Sequence, residues 1–94
     1  MSRWQKLIAK ARGSAANLSF GEVCWLAEAA GFERKRQKGS HVYFHNPRIP
    51  ESLLQGISLQ EGRDGKAKPY QVRQLLDRID DFGLEPRGEE QRSP

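Results

Sequence analysis

Phe32-Glu33-Arg34-Lys35-Arg36-Gln37-Lys38-Gly39-Ser40-His41-Val42-Tyr43-Phe44-His45 is the stretch that decides the fold. Successive side chains on a strand point to opposite faces, so a period of two marks a half-buried sheet. Phe32 alternates with charged residues up to Arg36, and Lys38-Gly39 supplies a turn. Val42 and Phe44 then share one face, while His41, Tyr43 and His45 share the other. A hairpin is expected, and Ile57-Ser58-Leu59 adds a third strand beyond the break at Asn46-Pro47.

Outward from the hairpin the period becomes helical. Ser19-Phe20-Gly21-Glu22 has the capping-box form, in which hydroxyl and carboxylate each satisfy a free backbone amide. It opens a helix with the apolar stripe Phe20, Val23, Cys24, Ala27 and Ala30, closed by Gly31. Before it, Trp4, Leu7, Ile8 and Ala11 recur at helical spacing, and Gly13 is expected to end that helix in a left-handed conformation. After a polar loop from Glu61 to Lys68, Pro69 suits the first turn of a last helix lined by Val72, Leu75, Leu76 and Ile79. Gly83 ends it, and the polar tail 85–94 is expected to be disordered. The fold class is therefore α+β in the order α-α-β-β-β-α, a three-stranded antiparallel sheet with helices on one face.

Ninety-four residues, 36% of them hydrophobic, fill one modest core but do not enclose a large cavity. A net charge of +4 and a pI near 9.6 favour a polyanionic partner bound on the surface. No apolar run reaches the roughly 20 residues a bilayer requires, and no signal-peptide pattern opens the chain. A single cysteine, Cys24, points to a reducing cytoplasm and to a packing role. One Cys and two His fall short of the four ligands of a structural zinc site, and no metal or other cofactor is expected.

Chemistry concentrates around His41. An imidazole exchanges protons near neutral pH, and this one stands between the basic run Arg34–Lys38 and a strand. A second basic group, Arg63, Lys66, Lys68 and Arg73, brackets the start of the last helix, where free amides favour phosphate. Gly65-Lys66 lacks the upstream glycine and following hydroxyl of a nucleotide-binding P-loop. His41 and His45 lie four residues apart on one strand, about 13 Å, too far to serve one phosphate together. Ser40 points away from its neighbour His41, and the strands hold no carboxylate pair for two metals. Metal-free RNA cleavage remains, because the ribose 2′-hydroxyl is a built-in nucleophile that needs only a base, alignment and nearby cations.

The segment Gly31-Phe32, the basic strand, Arg36-Gln37-Lys38-Gly39-Ser40-His41 and Phe44 resembles the HicA toxins of bacterial toxin–antitoxin pairs. Lys66-Ala67-Lys68-Pro69-Tyr70-Gln71-Val72-Arg73-Gln74 and Phe82-Gly83-Leu84 resemble the closing segment of one branch of that family. The resemblance implies a double-stranded-RNA-binding-domain-like fold, cleavage of mRNA, a HicB-type antitoxin that covers the active surface, and His41 at the catalytic histidine position. Arg36, Lys38, Ser40, Lys66, Lys68, Tyr70 and Arg73 are the expected RNA-binding residues, with Tyr43 a further stacking candidate. One domain over residues 1–84 is expected, with 19–84 as family core, residues 1–13 as an added helix, and a monomer when free. The alternative is a non-catalytic RNA-binding or antitoxin-interaction module of the same fold, which would bind without cleaving.

Overall fold

Local chemistry sets the element boundaries in the computed structural model, which describes residues 2–53 and 55–86. The order is α1 (Arg3–Gly13), a 3-10 turn (Ala15–Asn17), α2 (Phe20–Ala29), β1 (Glu33–Lys38), β2 (His41–His45), β3 (Gly56–Gln60) and α3 (Pro69–Phe82). This is the expected α+β arrangement, with an antiparallel sheet ordered β1-β2-β3. The capping box of α2 forms as expected: the Glu22 N–H donates to Ser19 Oγ at 3.0 Å, and the Ser19 N–H to Glu22 at 2.9 Å. Ser2 and Gln5 build a second box at the start of α1. Pro69 occupies the first turn of α3, and Gly83 closes it with φ of 60°, a conformation glycine adopts without strain.

The end of α1 differs from expectation. Gly13 is the last helical residue rather than a left-handed stop, and among the described residues positive φ occurs at Gly31, Gly39, Gly65 and Gly83. The chain leaves α1 through Ser14, whose N–H donates to the Lys10 carbonyl at 2.8 Å. The Trp4-Leu7-Ala11 stripe is buried with the rest of the core, so α1 packs within the chain. Two exposed ion pairs fasten it: Arg12 grips Asp80 of α3 at 2.6 and 3.0 Å, and Lys10 reaches Glu22 of α2 at 3.3 Å.

One face of the sheet meets the helices. Val42, Phe44, Ile57 and Leu59 are buried there with Val23, Leu26, Val72, Leu75 and Ile79. The other face is half-buried or exposed. After β2, the buried Asn46 donates to the Ala30 carbonyl at 3.0 Å and accepts the Arg48 N–H at 2.9 Å. The Arg48 guanidinium then donates to the carbonyls of Ala30, Gly83, Leu84 and Glu85 at 3.1–3.3 Å. One side chain thus satisfies free carbonyls at the ends of both α2 and α3, which would otherwise cost free energy. His45 is half-buried, and its Nε2 lies 3.0 Å from Gln55 Oε1. Of the tail, Pro86 is buried, while residues 87–94, most of the segment expected to be disordered, lie outside the described residues. No helix among the described residues is long and apolar enough to cross a membrane.

Candidate functional site

His41 opens the central strand, so both of its lateral neighbours come from the sheet. Its cross-strand partners are Lys38 on β1 and Gln60 on β3. Directly opposed residues share a face, which gathers Arg36, Lys38, His41, Tyr43, Ser58 and Gln60 on the open side. A β-bulge makes this possible. The register shifts between Arg34 and Arg36, so Arg34 pairs with inward-facing Phe44 whereas Arg36 pairs with Tyr43. Without that extra residue, Arg34 and Arg36 would share a face.

The bulge also sorts the charges. Arg34 lies 3.8 Å from Glu28 and Lys35 lies 3.2 Å from Glu33. Arg36 and Lys38 have no carboxylate partner among the described residues. The Arg36 guanidinium instead covers the Tyr43 ring at 4.9 Å, and that ring stacks with His41 at 6.5 Å between centroids. The result is a strip of guanidinium, phenol and imidazole across the open face, with Lys38 beside it.

The imidazole has one nitrogen beside a hydroxyl. Its Nδ1 is 3.5 Å from the Ser58 hydroxyl, and its Nε2 makes no hydrogen bond among the described residues. A hydroxyl both donates and accepts, so Ser58 can follow the ring through gain and loss of a proton. Ser40 makes no hydrogen bond to the imidazole among the described residues. Its Oγ accepts from Gln60 Nε2 at 3.3 Å, and its carbonyl accepts the Glu61 N–H at 3.3 Å.

Of the second basic group, Lys66 and Lys68 lie on the segment that bridges the end of β3. Ala67 bridges Glu61 and is buried, so the exposed Lys66 and half-buried Lys68 flank an inward-facing residue. Each strand column adds about 4.8 Å, which sets this segment two columns from His41. The loop is anchored where Phe20 N–H donates to Gly65 O at 2.9 Å and Ala67 N–H to Leu18 O at 3.2 Å. Buried Gln71 accepts the Gln60 N–H at 2.7 Å and donates to the Tyr70 hydroxyl at 3.4 Å. Tyr70, 53% exposed, is thereby tied to the residue paired with His41. Arg73 sits elsewhere, lining a groove with Arg12, Asp77 and Asp80 between α3 and the end of α1.

Ser58, Gln60 and Gln71 are the site residues that sequence reasoning missed. The alternation Ile57-Ser58-Leu59 held a signal for Ser58, since it turns that residue to the open side, but its pairing with His41 depends on strand register. Among the described residues, no group of three or more His, Cys, Asp or Glu comes together in a way that could hold a metal ion. Cys24 stays apart from the site: it is buried, and desolvation pushes its thiol above the ordinary value.

No curated protein and no solved structure matches the chain significantly. A family model does: the one described as HicA toxin of bacterial toxin-antitoxin matches residues 20–80. The match begins with α2, takes in the whole sheet and runs almost to the end of α3, leaving α1 outside. Well over half of the chain is covered, and it belongs to the HicA toxin family of bacterial toxin–antitoxin systems.

Proposed function

We propose that this toxin is an endoribonuclease that cleaves mRNA without a metal, with His41 as its proton-transfer residue. The observation that carries this reading is the imidazole with Nδ1 3.5 Å from the Ser58 hydroxyl, beside Lys38, which has no carboxylate partner among the described residues. In the reaction, the ribose 2′-oxygen loses its proton and bonds to the adjacent phosphorus, while the bond from phosphorus to the 5′-oxygen breaks. The products are a 2′,3′-cyclic phosphate and a 5′-hydroxyl. One imidazole performs one of the two proton transfers, and water performs the other. Such a role contributes on the order of 10²–10⁴ in rate. Arg36, Lys38, Lys66 and Lys68 neutralise phosphate charge, Ser40 and Tyr70 supply hydroxyls at the same corner, and Arg73 holds the strand further away.

A HicB-type antitoxin neutralises the enzyme by covering this surface, in the cytoplasm, and the free toxin is a monomer of one domain. The family supports an antitoxin partner, and cations without a carboxylate partner among the described residues support an acidic covering surface. A chimeric oligonucleotide tests the mechanism. RNA with one 2′-deoxy residue at the cut position should resist cleavage there while remaining cleavable elsewhere. Cleavage at the deoxy position would exclude attack by the 2′-oxygen.

A further inference from the structure

The open face of the sheet carries a groove of about 410 Å³ bounded by Lys35, Arg36, Tyr43, Gly56 and Ser58. It adjoins His41, whose ring stacks with that of Tyr43. We infer that this groove receives one nucleobase of an unpaired RNA strand, immediately beside the phosphate that His41 acts on. The inference rests on the ribonuclease reading and adds the strandedness of the substrate and the place of one base.

Three features favour a base. Unpaired bases are recognised by stacking on aromatic rings and on guanidinium planes, and Tyr43 with Arg36 above it offers both surfaces in one stack. Arg36 has no carboxylate partner among the described residues, so its charge is available to the strand that brings the base. Gly56 keeps the floor open. It pairs with His45, which places a side chain at this position on the open face. Its φ is not positive, and an added Cβ would meet only the Phe44 carbonyl at an ordinary 3.5 Å. The backbone therefore does not require glycine here; what the missing side chain provides is space. A-form duplex cannot use that space, because its bases are stacked and paired and proteins contact it through shape and backbone.

The test measures binding of a short, uncleavable 2′-O-methyl RNA to the full chain at low salt by fluorescence anisotropy. Removing the bases one at a time should reveal one position whose loss weakens binding to wild type by roughly 5- to 100-fold, the range for one stacked base. Tyr43→Ala and Gly56→Leu should each weaken binding by a similar factor and abolish the penalty at that position. The same sequence as a duplex should bind all three proteins alike. The abasic series on wild type needs no variant to fold. Equal affinity of wild type, Tyr43→Ala and Gly56→Leu for the single strand would overturn the inference, as it would if the groove serves a protein partner. Equal losses on duplex and single strand would overturn it too. Either result alongside His41-dependent cleavage removes the base groove alone. Undiminished cleavage by His41→Ala removes the ribonuclease reading, while the binding series still reports on the groove.

Discussion

The hydroxyl of Ser58 lies 3.5 Å from His41 Nδ1, so the imidazole is steadied by the neighbouring strand rather than by Ser40, its neighbour in the chain. The two residues belong to different strands of one rigid ladder, which fixes the ring better than a turn residue would. Ser58→Ala should lower RNA cleavage by about 2- to 10-fold, the equivalent of one net hydrogen bond. Ser58→Thr, which keeps the hydroxyl and suits a strand, should restore most of it. Initial rates on a fluorogenic RNA check both. Full activity in Ser58→Ala would remove Ser58 from the site.

In the proposed mechanism Lys38, Lys66 and Lys68 act through charge, so their loss should show in salt dependence. Each lysine-to-alanine change should weaken RNA binding uniformly across sequences. Each should also flatten the slope of log affinity against log salt by about 0.7, one phosphate contact on a single strand. Titrations at several salt concentrations measure this. An unchanged slope would place that lysine outside the RNA path.

Asp80 and Glu22 tie part of the fold's stability to pH. Hydrogen bonding to Arg12 holds the Asp80 carboxyl below its ordinary value, and the Ser19 amide, then Lys10, do the same for Glu22. A carboxylate with a lowered folded pKa adds stability that is complete above its unfolded value and lost as pH falls through the folded one. Stability should therefore decline as pH drops below about 4. Asp80 is half-exposed, so solvent screening limits the Arg12 pair to under about 1 kcal/mol. Asp80→Asn should cost up to that amount at neutral pH and make the acid decline shallower. Urea melts across the pH range would show this, and parallel curves for wild type and variant would refute it.

Cys24 is 5% exposed, and burial keeps its thiol protonated. Native protein should resist alkylation by iodoacetamide near neutral pH and react promptly once unfolded. Mass spectrometry of timed samples distinguishes this from rapid native labelling, which would mean that α2 opens easily.

Much of this arrangement was legible in the chain because local rules dominate it. Val42 and Phe44 alternate cleanly with His41, Tyr43 and His45, and Ser19-Glu22, Pro69 and Gly83 mark helix ends. Non-local geometry was harder to see. The bulge falls in a strand whose side chains are all exposed, so no apolar pattern reveals a change of face. The contact of His41 with Ser58 depends on a register set across a long connection, and Arg48 reaches carbonyls up to 37 residues away. Gly13 misled because a glycine near a helix end does not itself dictate a left-handed stop. Arg73, close in sequence to Lys68, is carried by the turn of α3 toward α1.

The most direct measurement is the cleavage rate of single-stranded RNA by purified wild type and His41→Ala, with folding of both checked by circular dichroism. The variant should lose about 10²- to 10⁴-fold in rate while still binding RNA. A folded variant that degrades RNA as fast as wild type would contradict the central claim.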